Sequence, residues 1–116
     1  MAPSDLPNRG RAVVDGTKLR DYLLSSTHPV GSSKAAFFAR LGYQRHAWRV
    51  LGVDLREQHL LSAPAERLET AHGVKYIIRA SLKGPSGVSA VVVSVWIVLA
   101  TEDFPRFVTA YPGDQS

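Results

Sequence analysis

Five residues of this chain have side chains suited to phosphate chemistry: His28, Lys34, Arg79, Thr109 and Tyr111. The segment Arg106-Phe107-Val108-Thr109-Ala110-Tyr111-Pro112 alternates as a strand does. The alternation predicts Phe107, Thr109 and Tyr111 on one side, with Arg106, Val108 and Ala110 on the other. Two hydroxyls two residues apart on one face can reach a single bound group. Lys34 falls in the first turn of a predicted helix, where an exposed cation opposes the helix dipole by about 0.3–1 kcal/mol. The free N–H groups of such a turn favour an anion, so Lys34 either extends into solvent or helps to hold a phosphate. His28 precedes Pro29, which keeps it extended and can aim its ring. Its titration range suits a general acid or base near neutrality; the plain alternative is a surface loop histidine. Arg79 lies in an otherwise apolar strand pattern, facing water or an anion above the sheet, and its planar fork suits phosphate.

The other candidates read as structural. His46 falls at a helix start and His72 in a turn, both solvent positions. His59 is expected to be a hydrogen-bonded core histidine, and Trp96 a core residue rather than a platform for a base. No His-x-x-x-His pair, HExxH, P-loop, GxGxxG or GxSxG is present, and there are no cysteines. Neither a metal nor another cofactor is therefore expected. Metal-free cleavage of RNA by internal transfer needs little: a base near the 2′-hydroxyl, a donor for the leaving 5′-oxygen, and positive charge at the transition state. One histidine, one lysine or arginine, and hydroxyl donors would suffice.

These residues must be positioned by helices first and strands second. Thr17 is expected to cap a helix over 18–24. A loop over 25–31 is punctuated by Pro29 and Gly31. Ser32 or Ser33 would cap a second helix to Leu41, stopped by Gly42. A third helix is expected from Ala47 to about Leu61, weakened at Gly52 by about 1 kcal/mol relative to Ala. Strands follow over 65–70, 74–82 and 88–99, with a closing strand opened by Pro105. The central strand is apolar on both faces near Val91-Val92-Val93, which calls for a covering layer on each side or a neighbouring subunit. The order gives an α+β fold: three N-terminal helices on a four-stranded antiparallel sheet.

The chain has 116 residues, enough for one modest core. Residues 1–11 read as a flexible tail, 12–113 as a single domain and 114–116 as a second tail. No apolar run is long enough to cross a membrane, and the polar N-terminus lacks the apolar stretch of a signal peptide. A cytoplasmic protein is the expectation. The net charge is +4, and the sequence pI is about 9.8. Residues 1–64 carry nine Lys/Arg against five Asp/Glu, whereas residues 65–116 carry five of each. The excess sits in the helical half and would favour encounter with RNA or an acidic protein; simple solubility is the alternative.

The stretches His28 to Phe38, Lys75 to Arg79, Gly84 to Gly87, Val95 to Ile97 and Pro105 to Pro112 resemble a small bacterial domain family of unknown function, over about Ala12 to Gly113. More widely, the element order and the closing Val-Thr-Ala-Tyr-Pro are similar to the barnase–EndoU–colicin–RelE superfamily of metal-independent ribonucleases. Many members of that superfamily are toxins held by an antitoxin or immunity protein. The resemblance implies His28 as acid/base, Lys34 as a phosphate or transition-state contact and Arg79 as a secondary charge. It implies Thr109 and Tyr111 as hydroxyl donors. No second histidine follows shortly after the first, so Tyr111 would act as acid, or His46 or His59 would fold in. The readings are thus a ribonuclease toxin, a non-catalytic protein- or RNA-binding module of the same fold, and a homodimer built through the apolar central strand.

Overall fold

A computed structural model describes residues 6–24, 32–62 and 66–113. Helix α1 (Gly16–Lys18) runs on into a π-helical turn, Leu19–Leu23. The Asp15 carboxylate caps it by accepting from the Thr17 amide at 2.9 Å, so Asp15 takes the role expected of Thr17. Helix α2 (Ser32–Arg40) ends as its sequence requires. Gly42, at φ 100°, donates to Ala39 O and Tyr43 donates to Phe38 O, and the Phe38 and Tyr43 rings meet edge-on at 6.3 Å. That is a Schellman stop with its hydrophobic contact. Helix α3 (Trp48–Asp54), entered through a 3-10 turn, Arg45–Ala47, widens into a second π-helical turn, Leu55–His59.

Four strands form an antiparallel meander in the order β1 (Glu66–Thr70), β2 (Gly73–Lys83), β3 (Ser89–Leu99) and β4 (Arg106–Pro112). The fold is therefore the α+β arrangement expected, with β1 and β4 at the edges. The helices cover one sheet face. There Ile78, Leu82, Val92, Trp96, Phe107 and Ala110 meet Leu19, Phe38, Leu41, Leu51, Leu55 and Leu60 in one core. The hairpin between β2 and β3 packs under the end of α2. Ser86 N donates to Leu41 O, and a Cβ on Gly84 would stand 2.0 Å from that same oxygen.

The structure refines two expectations. Among the described residues no helix lies on the second face of β3, yet Val93 and Val95 there are 5% and 9% exposed. Part of the cover comes from the chain itself, since Gly113 lies so close that a Cβ would stand 2.7 Å from Val91 Cγ1. Residues 6–11, expected as tail, are docked. Leu6 is buried, Arg9 donates to Leu60 O and Ser62 O, and Arg11 pairs with Asp103. Val13 then bridges to Arg106 in parallel, closing the outer edge of β4 at its start.

Candidate functional site

The site begins at an irregularity in β4. Opposite β3, Val95 pairs with Thr109 while Trp96 pairs with Phe107, so Val108 is an extra residue, a β-bulge. Phe107 packs its ring edge-on against Trp96 at 5.3 Å in the core. Thr109, opposite Val95, lies on the other face. The expectation that Phe107, Thr109 and Tyr111 share one face is thus overturned by the bulge; Thr109 and Tyr111 still share theirs. Tyr111 pairs with Val93, as Arg79 does from the other side, so Arg79 and Tyr111 flank β3 in one row of the face opposite the core helices.

The bulge brings cations to β4. Lys34 Nζ, from the first turn of α2, donates to Thr109 Oγ1 at 3.3 Å. Lys18 Nζ, from α1, donates to Val108 O at 3.4 Å. Both contacts are longer than a usual 2.7–3.2 Å hydrogen bond, and charge-assisted bonds to an anion run at about 2.7–2.9 Å. A phosphate oxygen is a stronger acceptor for an ammonium group than a hydroxyl or a carbonyl. Thr17, Lys18, Lys34, Val108 and Thr109 line an open cleft of about 440 Å³. Since Lys34 donates to Thr109 Oγ1, the threonine hydroxyl keeps its own proton to offer to a bound oxygen.

Of the expected site residues, Lys34 and Thr109 come together, and Tyr111 lies on the face of Thr109, 37% exposed. Arg79 is exposed in the same face, separated from Tyr111 by β3. His28 lies outside the described residues. Sequence reasoning missed Lys18. Its only signal is its place behind the Asp15 cap, where a cation in so short a helix looks like any solvent-facing lysine.

The other histidines separate from this site. His46 lines a different cleft, with Gly42, Tyr43 and Pro85. His59 is fully buried and hydrogen-bonded at both nitrogens. Nε2 lies 2.8 Å from Val92 O and 3.1 Å from Ala80 O, and Nδ1 lies 2.7 Å from Ser94 Oγ. Two carbonyls at Nε2 assign the proton there, so the Ser94 hydroxyl donates to Nδ1 while its oxygen accepts from Trp96 Nε1 at 2.8 Å. Burial holds the imidazole below its ordinary 6.5, with the backbone bonds to Val92 and Ala80 opposing. His59 is a neutral structural residue and does not fold into the site. Among the described residues, no three His, Asp or Glu side chains gather as a metal would need. No helix there is long and apolar enough to cross a membrane.

Comparison with known proteins adds a family and a fold. The chain belongs to the family described as a domain of unknown function, DUF6883, which matches residues 5–114. No curated protein matches it. Among solved structures, it is similar to a chain of a contact-dependent growth inhibition toxin–immunity protein complex from Klebsiella pneumoniae 342. The TM-score is 0.69 at 22% identity, over 92% of this chain and 97% of that one. At that identity the likeness is one of fold.

Proposed function

We propose that this DUF6883 domain is a small metal-independent endoribonuclease, the toxin of a toxin–antitoxin or immunity pair. The observation that carries the reading is the convergence of Lys34, Lys18 and Thr109 at the β4 bulge. The fold shared with a chain of a toxin–immunity complex supports the biological half of the reading.

In this reading the 2′-oxygen attacks phosphorus and the bond from phosphorus to the 5′-oxygen breaks. The products are a 2′,3′-cyclic phosphate and a 5′-hydroxyl. His28 takes the 2′-hydroxyl proton, and Tyr111 supplies one to the leaving 5′-oxygen. Lys34 and Lys18 balance the charge that gathers on the non-bridging oxygens, and Thr109 donates to one of them. Arg79, across β3 from Tyr111, adds charge at longer range. The partners are RNA as substrate and a cognate immunity protein as inhibitor.

The test is cleavage of total bacterial RNA in EDTA by wild type, His28→Ala, Lys34→Ala and Thr109→Val. Loss in all three variants, with cyclic-phosphate ends in the wild-type products, is the expected result. Full activity in Lys34→Ala and Thr109→Val would remove the bulge site from the chemistry. A folded wild type that binds RNA without cutting it would leave a binding module of the same fold.

A further inference from the structure

A second concavity lies on the opposite side of the α1 segment. Thr17 and Lys18 line the candidate site, whereas Val14 and Leu19 form a wall of a cleft of about 310 Å³ completed by Trp48, Arg49, Gly52, Val53 and Arg56 of α3 and its extension. One short segment thus separates the two clefts. The floor is apolar, and the mouth carries Arg49 of α3 and Arg56 of the π-helical turn that follows it.

Five of the described arginines carry an ion pair. Arg20 and Arg45 bind Asp21, Arg106 binds Glu102, Arg11 binds Asp103 and Arg67 binds Glu69. Among the described residues, Arg49 and Arg56 pair with no carboxylate. The central carbon of the planar Arg49 guanidinium lies 4.4 Å from the centre of the Trp48 ring. Such a plane is one on which unpaired RNA bases stack, while its N–H groups serve phosphate.

We propose that the cleft between α1 and α3 is a nucleotide subsite, taking one unstacked nucleotide of a single-stranded RNA, with Arg49 and Arg56 on the adjoining phosphates. The inference rests on the ribonuclease reading: the strand that leaves the bulge site crosses α1 and enters this cleft. An apolar floor of ring size beside two unneutralised arginine forks suits a base and its phosphates.

The probe is a fluorescein-labelled 2′-O-methyl RNA decamer of mixed sequence, which lacks the attacking hydroxyl and so cannot be cut. Anisotropy titrations across a salt series compare wild type, the double variant Arg49→Ala/Arg56→Ala, and Val53→Glu. Losing the arginines is expected to weaken binding about tenfold or more. It should also flatten the slope of log Kd against log salt by about 1.4, twice the single-strand value of about 0.7 per phosphate contact. Val53→Glu, at an exposed position, should weaken binding with little effect on thermal stability. A 4-thiouridine version of the decamer should photocrosslink within residues 48–56. Unchanged affinity and slope in the arginine variant, while wild type still cleaves total RNA, overturns the subsite and leaves the ribonuclease reading standing. A wild type that neither binds the decamer nor cleaves RNA overturns both. If the arginine variant loses an acidic protein partner but keeps RNA affinity, the cleft is a protein contact and the proposal falls.

Discussion

Ser94→Ala tests whether the buried polar network holds the sheet beneath the candidate site. Ser94 is fully buried on β3 and pairs in register with Ala110, the neighbour of Thr109. Its single oxygen serves two buried groups, His59 Nδ1 and Trp96 Nε1. Removing it orphans both, and each orphaned buried group costs about 1–3 kcal/mol. The His59 ring keeps its carbonyl partners at Nε2, so it cannot turn to recover the loss without giving those up. A total of about 2–6 kcal/mol follows, a large part of the 5–15 kcal/mol typical of a domain. Urea denaturation should show a lower midpoint with an unchanged slope, the sign of lost stability rather than an altered unfolded state. Adding Trp96→Phe removes one orphan, so it should cost less in the Ser94→Ala background than in wild type. A loss below about 0.5 kcal/mol for Ser94→Ala would refute the reasoning, because both orphans would then have found other partners.

The same histidine predicts a pH effect. Burial lowers the folded-state value below the ordinary 6.5, so the unfolded chain binds the proton first. The stability tied to this group is complete above 6.5 and is lost as pH falls from there through the lowered folded value; urea midpoints from pH 7.5 to 5 should fall more steeply in wild type than in His59→Gln. At the candidate site, Lys34→Ala and Thr109→Val are each expected to lower cleavage about 100-fold with the melting temperature little changed, as for loss of one transition-state donor. Gly84→Ala should destabilise by about 1–3 kcal/mol in the same urea assay, since its Cβ would stand 2.0 Å from Leu41 O and the hairpin must move off α2.

The strand meander and three helices were legible because their punctuation is local. Gly42 at a positive φ, the Gly84-to-Gly87 turn and the β-branched runs each announce themselves within a few residues. The core role of His59 was legible too, from its place on an apolar helix face. The bulge was not. Nothing at Phe107-Val108-Thr109 marks an extra residue, and the alternation there is clean; pairing of Phe107 with Trp96 decides the register, and that is a tertiary fact. The π-helical turns were invisible for a similar reason, since their sequences read as ordinary helix. Lys34 and Thr109 were singled out separately, one by its odd place at a helix start and the other by strand pattern. No local pattern could have joined Lys18 to them.

Each strand of the meander pairs with the next in sequence, so hairpin contacts close short loops. The contacts at the bulge close long ones: Lys34 meets Thr109 across 75 residues, and Lys18 meets Val108 across 90. Loop-closure entropy grows with that separation, which favours closing these contacts after the local hairpins. The docked segment ahead of α1 belongs to the same late closure, since Arg11 reaches Asp103 and Val13 reaches Arg106. A chain shortened before β4 would hold both lysines with nothing opposite them. Whatever this cluster does, the domain does none of it until β4 is in place, so its chemistry depends on the completion of the sheet.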